Sequence, residues 1–251
     1  MAAGASCPGR CVNLKRGDWD MKRRLVALLV CALALLCAAA SAEVAAPAIV
    51  LGAGSVVPGN AVWFGDNTGW RVLRNDSDSG EALLIRDKVE SKTQFNEQYS
   101  DGNAWQGSTV QQWCNDLYNN WPDGPEKAAI LPTTVVETKI FSYNNEYSPV
   151  SLNGEYFFFL SAREADELFA NDDDRRAVDS DGKYQEWWLR SPTLTDNITA
   201  GFVTFSGYIS PGTIYSSFFA RPAFNLNLPS VLFTSAAEGG KTLPAEAMSF
   251  R

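Results

Sequence analysis

The stretch "EWWLRSP", residues 186–192, decides how the C-terminal half of this chain is read. Two tryptophans, a leucine and an arginine stand side by side in a protein that contains no histidine. In an extended strand Trp187 and Leu189 project to one face, and Glu186, Trp188 and Arg190 to the other. The first face is core. On the second, Trp188 and Arg190 are same-face neighbours, so the guanidinium is expected to lie over the indole, a contact worth about 0.5–2 kcal/mol. A buried Arg190 needs an acid or backbone carbonyls for its donors, because an unpaired buried charge costs several kcal/mol. The alternative is a ligand surface, since arginine and tryptophan also anchor binding sites.

Downstream, "AGFVTFSGYI" and "FFARPAFNLNL" continue the strand pattern, with Arg221 expected to play a supporting part like that of Arg190. Upstream, "VWFGD", "WRVLRN" and "ALLIR" read as strands, the last two joined by the polar turn "DSDSG" at 76–80 to give a half-buried hairpin. Between these sheet-forming regions lie the helices. In "STVQQWCNDLYN", residues 108–119, apolar side chains fall at Val110, Trp113, Cys114, Leu117 and Tyr118, the stripe of one helical face, with Ser108 as N-cap. "GPEKAAIL" reads as a short helix with Pro125 in its first turn. "EYFFFL" is apolar on both faces and predicts a central strand, after which Ser161 and Glu164 form a capping box opening a helix through Phe169. "NDDDRRAVDSDGKYQ" reads as a polar loop. Helices gathered in the first half of a sheet-rich chain predict an α+β fold with a mixed, mostly antiparallel sheet and two or three short helices.

The N-terminal segment reads as a targeting signal. Residues 21–42 combine a basic start at Lys22-Arg23-Arg24, an apolar run from Leu25 to Cys37 and a small-residue Ala40-Ser41-Ala42 site, the pattern of a secretory signal peptide. The run is shorter than the roughly 20 residues a spanning helix needs. Residues 1–20 are read as an upstream start outside the product, 43–60 as a flexible leader, 61–235 as one globular domain and 236–251 as a C-terminal tail. The expectation is a secreted, extracytoplasmic protein with no membrane span after cleavage. Retention of the signal as an anchor is the alternative.

Removing residues 1–42 leaves Cys114 as the one cysteine, so the domain is disulfide-free and stabilised by its core. From Glu43 on, 27 acidic residues stand against 15 Lys and Arg, a net charge of −12 that argues against nucleic acid and anionic membranes as partners. Zero histidine excludes Ser-His-Asp and Cys-His catalysis and His-ligated zinc. A glycosidase needs a pair of carboxylates, and no pair stands out by spacing. Asp172, Asp174, Asp179 and Asp181 offer hard oxygen ligands for Ca²⁺, against the alternative of an ordinary solvated loop. No other cofactor is expected.

The ordered set "WQGSTVQQWCNDLY", "FFFLSAREA", "WWLRSP" and "ARPAFNL" resembles an uncharacterised family of bacterial exported domains, domain of unknown function 6273, over residues 62–234. Trp113, Trp187, Trp188, Arg190 and Arg221 carry the resemblance as structural positions. Where that family usually has Trp-Leu-Asn, this chain has Trp113-Cys114-Asn115, which puts the thiol at a core leucine position. The "ARPAF" segment also resembles the last core strand of C-type-lectin-like folds, including the formylglycine-generating enzymes, and so implies a C-type-lectin-like arrangement. Those enzymes depend on a cysteine pair that this chain cannot supply.

For binding, the segment between the two arginine motifs is the more informative. Tyr208, Tyr215 and Phe218 stand among Ser, Thr, Gly and Asn, a composition similar to adaptable binding loops, or alternatively to a plain β-meander. The expected function is a non-catalytic recognition module for a glycan or a surface protein. The alternatives are a structural cell-envelope domain without a ligand and a carboxylate-based hydrolase.

Overall fold

A computed structural model describes residues 48–52, 56–65, 68–140 and 150–235. The segments expected as upstream start, signal and tail, at 1–20, 21–42 and 236–251, lie outside the described residues.

The first part of the chain forms β1 (Ala48–Gly52), β2 (Ala61–Trp63), β3 (Gly69–Asp76), β4 (Glu81–Arg86) and β5 (Lys92–Gln94). Helices α1 (Thr109–Asn119) and α2 (Pro125–Ala129) follow, then β6 (Ile130–Leu131), β7 (Thr133–Glu137) and β8 (Val150–Glu155). Next come α3 (Ala162–Glu167), the single turn α4 (Asp172–Arg175), β9 (Ala177–Val178) and β10 (Tyr184–Gln185). The chain closes with β11 (Trp187–Pro192), β12 (Thr199–Val203), β13 (Ile209–Thr213), β14 (Ser217–Phe219), β15 (Ala223–Asn227) and β16 (Val231–Ser235). Seven strands form one sheet in the order β16-β1-β2-β3-β4-β15-β6, and five form a second in the order β13-β12-β11-β14-β5. Pairing is antiparallel except at β1/β16 and β11/β14. The fold is α+β, and the described residues lie in one compact unit, Ala46–Arg251. Among the described residues no helix is long and apolar enough to cross a membrane.

Local chemistry accounts for most of these elements. At the β3–β4 turn, Asp76 Oδ1 accepts from the amides of Asp78 (3.1 Å) and Ser79 (3.2 Å), and Gly80 takes the left-handed conformation the turn requires. Ser108 Oγ accepts from Gln111 N at 3.1 Å to start α1, which buries Val110 and Cys114 completely and Trp113, Leu117 and Tyr118 in part. Ser161 and Glu164 form the expected capping box on α3, which stops at Glu167.

Five expectations need correction. The 43–60 leader contains a strand, β1, because β16 and β2 offer it two edges to pair with. In the β3–β4 hairpin only β3 is half-buried: in β4, Ala82 through Arg86 are all buried, since β4 lies between β3 and β15 with packed side chains on both faces. In "EYFFFL" Glu155 ends β8 and Tyr156 is half-buried, while Phe157 to Leu160 are buried without forming a strand, making one isolated bridge from Phe158 to Ala223. Two of this segment's carbonyls are met otherwise, Phe159 O by Arg190 Nη1 at 2.7 Å and Leu160 O by Arg190 N at 2.9 Å, so no ladder is needed to satisfy these. The polar loop at 171–185 contains α4 and the β9–β10 ribbon, because capping side chains and backbone pairing close its turns.

The fifth correction concerns the opening stretch. All six residues of β11 are buried. Arg190 does not stack on Trp188. Its guanidinium lies 5.6 Å from the Phe158 ring and binds Glu164 through both nitrogens, at 2.5 and 2.8 Å. The register of β11 against β12 shifts between Trp188 and Pro192, so strict two-residue alternation, and with it the same-face argument, breaks there. The arginines that stack on indoles are Arg221, 4.8 Å from the Trp187 ring centre, and Arg86, 4.8 Å from that of Trp70.

Candidate recognition surface

The turn between β12 and β13 is an aromatic tip with a constrained backbone. Thr204 N donates to Tyr208 O at 2.8 Å, Gly207 N to Thr204 O at 2.9 Å, and Tyr208 N to Thr204 Oγ1 at 3.1 Å. Phe205 and Tyr208 are each 61% exposed, a value that among the large apolar side chains of the described residues only Tyr99 shares. Gly207 has φ +92°, and a Cβ there would sit 1.8 Å from the carbonyl oxygen of Asp172. Only glycine permits this approach, and the approach docks the tip on α4.

Arg175 secures the docking. It is 5% exposed and donates Nε to Gly207 O (3.1 Å), Nη1 to Ala165 O (3.1 Å) and Asp166 Oδ1 (3.2 Å), and Nη2 to Asp172 Oδ1. Its carbonyl accepts from Trp187 Nε1 at 3.3 Å and Arg221 Nη1 at 3.2 Å. The buried Trp187 and Arg221 are thereby tied through one residue to the exposed tip. Arg71 holds α4 from the large sheet, donating to Asp174 O at 3.0 Å and to Asp174 Oδ1. Burial raises the Asp174 carboxyl, but the Arg71 and Ala170 donors and nearby arginine charge outweigh it and hold the group below its ordinary range. Arg221 is pushed down to about 9 by burial first and then by the like charge of Arg71, against Asp87 and Asp174, so it is charged at neutral pH.

β10 leads into β11 at the end where β12 leads out to the tip, because Trp187 pairs with Val203 in antiparallel register. At that end the Arg176 guanidinium lies 3.4 Å from the half-exposed Tyr184 ring, and Arg176 Nη1 donates to Asp173 at 3.2 Å. Exposed rings and a fixed cation–carboxylate pair thus share one end of the five-stranded sheet.

Of the residues expected to bind, the structure brings Tyr208 to this surface and separates it from Tyr215. The two flank opposite ends of β13, about 20 Å apart along a strand that rises ~3.3 Å per residue. Tyr215 is 47% exposed beside β5, where its carbonyl accepts from Gln94 Nε2 at 2.7 Å. Phe218 is packed inward, stacked on Phe202 at 4.2 Å and tilted against Trp188 at 4.7 Å, with Gly212 leaving room for both phenylalanine rings. Trp187, Trp188, Arg190 and Arg221 are buried, and Trp113 is half-buried against Phe159.

The aspartates considered for calcium are drawn to other partners. Asp172 and Asp174 bind arginines, while Asp179 closes the β9–β10 turn by accepting from the amides of Asp181 (2.9 Å) and Lys183 (3.0 Å) and from Gln185 Nε2 (2.6 Å). Asp181 lies in that turn. Among the described residues no three His, Cys, Asp or Glu side chains are grouped as metal ligands. Two buried carboxylates that spacing did not single out, Glu137 and Glu155, meet at Trp105: Glu137 accepts its backbone N–H at 2.8 Å and Glu155 its indole N–H at 3.2 Å. Gln111 Nε2 donates to the other Glu155 oxygen at 2.7 Å, so this pair fixes the start of α1.

Sequence reading missed Phe205, Arg175 and the Arg176–Tyr184 stack. Phe205 resembles a strand residue until the turn is seen, and Arg175 sits in a run of charges that reads as solvated. The usable signal was Ser206-Gly207, a turn dipeptide inside an apolar alternation.

No curated protein and no solved structure matches the chain. The family described as "Domain of unknown function (DUF6273)" matches residues 79–228, a span that takes in α4, the aromatic tip, β11 and Arg221. With more than half of its length so matched, the chain belongs to that family.

Proposed function

We propose that this protein is an exported, non-catalytic recognition module that binds through the Phe205–Tyr208 tip. The observation that carries this reading is the docking of two highly exposed rings on a fixed backbone, Gly207 against Asp172 with Arg175 gripping the Gly207 carbonyl. Rigid aromatics give contact area at little entropic cost, and preorganisation of the loop adds to affinity. The ligand class is a glycan or a surface protein. Glycan is the first choice, because exposed rings beside Asp173, Arg176 and Tyr184 offer both a stacking face and hydrogen-bonding groups. Export rests on the signal-like segment 21–42, and a C-type-lectin-like relationship rests on the "ARPAF" strand.

The test is binding of the purified protein to a broad glycan array, with calcium and with chelator. Reproducible binding that the Phe205→Ala/Tyr208→Ala variant loses supports the reading. A blank array, together with no capture of surface proteins, sinks it and leaves a structural envelope domain.

A further inference from the structure

Tyr118, in the last turn of α1, and Tyr156, just after β8, form an unusually close pair. Their ring centres are 3.7 Å apart and their planes differ by 6°. Aromatic pairs ordinarily prefer offset or edge-on arrangements with centres about 4.5–7 Å apart. At 3.7 Å the separation is little more than the thickness of a ring, so the two rings overlap almost atom on atom. Burial first, and then the neighbouring Tyr156 hydroxyl, push the Tyr118 phenol up, so the two hydroxyls lie on the same side of the stack and the Cε edge of one ring faces that of the other. Both side chains are half-buried and reachable from solvent. With Tyr156 on one face of Tyr118, the Lys127 ammonium, 5.2 Å from the ring centre, occupies the other and is itself held by Asp123 at 2.9 Å.

We propose that Tyr118 and Tyr156 are an oxidative cross-linking site that forms an intramolecular ortho–ortho dityrosine. The oxidant is hydrogen peroxide acting through a haem peroxidase. Each phenol loses one electron and one proton, and the two phenoxyl radicals join in a Cε–Cε bond. The hydrogens on the joined carbons then return to the phenolic oxygens as both rings regain aromaticity. One peroxide accepts the two electrons and two protons and leaves as two waters. The bond ties the end of α1 to the segment that follows β8, closing the chain between residues 118 and 156. In a domain whose described cysteine, Cys114, is free and buried, this would do what a disulfide does elsewhere, restricting the unfolded chain.

The experiment treats the purified full chain, in dilute solution, with a haem peroxidase and limiting peroxide, then maps cross-linked peptides of the monomer by mass spectrometry. The expected product joins the Tyr118 and Tyr156 peptides and is lighter than their sum by two hydrogen atoms. Tyr118→Phe and Tyr156→Phe should each abolish it while their circular dichroism stays that of the parent. Lys127→Met should speed its formation several-fold, because a cation over the ring opposes loss of an electron. Dityrosine confined to covalent dimers, or in the monomer mapping to Tyr99, Tyr184, Tyr208 or Tyr215, or forming undiminished in Tyr118→Phe, would overturn the assignment.

Discussion

Arg221 and Trp187 share a single acceptor, the carbonyl of Arg175, and the guanidinium of the first lies 4.8 Å over the indole of the second. Arg221 also donates Nε to Arg86 O at 2.9 Å and is 1% exposed. Among the described residues no carboxylate lies within ion-pair distance of it, so its fork on backbone carbonyls and its aromatic faces are what hold the charge. Arg221→Lys keeps the charge and loses the fork, and is expected to cost about 3–5 kcal/mol in denaturant unfolding. Arg221→Met removes the charge as well, and is expected to cost less, about 1–3 kcal/mol for the carbonyls left short of a donor. The reverse order would mean that the fork geometry is not what matters.

Glu164 caps α3 and pairs with Arg190 in the same carboxylate. Burial raises its pKa, but the charge and hydrogen bonds of Arg190 with those of Ser161 outweigh burial and hold it below the ordinary 4.5. A carboxyl lowered in the folded state stabilises the protein above its unfolded pKa, and that contribution is lost as pH falls through the lower folded value. Stability should therefore be level in this contribution near neutrality and decline below about pH 4.5, with a shallower acid limb in Glu164→Gln. At pH 7, Glu164→Ala should cost about 3–5 kcal/mol, because Arg190 stays buried without its acid. Urea titrations across pH would show both.

Gly207→Ala should separate the aromatic tip from α4. The added methyl meets the Asp172 carbonyl and the residue must hold φ +92°, so destabilisation above ~1 kcal/mol is expected. Faster amide exchange at Gly207 and Tyr208, with the exchange of β4 unchanged, is the accompanying signature. Unchanged exchange at the tip would show that it is not held by this contact.

Because Tyr208 and Tyr215 are at opposite ends of β13, single substitutions should divide. Tyr208→Ala is expected to abolish ligand binding with the melting temperature unchanged, and Tyr215→Ala to leave both unchanged. Phe218→Ala should instead destabilise by about 3–5 kcal/mol through its packing on Phe202 and Trp188. Equal losses of binding in the two tyrosine variants would move the surface to the other end of the sheet.

Cys114 is expected to be inert in the folded protein. Burial, and secondarily the charge of Glu155, push its thiol well above the ordinary 9.0. Alkylation followed by peptide mapping should label Cys114 only after denaturant is added. Labelling under native conditions would contradict its burial on α1.

Sequence alone determined the features that arise from neighbours in the chain. The α1 stripe and its Ser108 cap, the Ser161–Glu164 box and the Asp76 turn are each closed by hydrogen bonds spanning a few residues, so residue type and spacing suffice. The need of Arg190 for an acid was legible for the same reason: burying a charge has a cost whatever the fold. Which acid, which ring and which surface were decided only by tertiary structure. Glu164 reaches Arg190 from α3, Arg221 rather than Arg190 takes an indole, and Gly207 meets Asp172 from the far side of β12. These contacts depend on the register shift in β11 and on how distant segments pack, and no local periodicity carries that information.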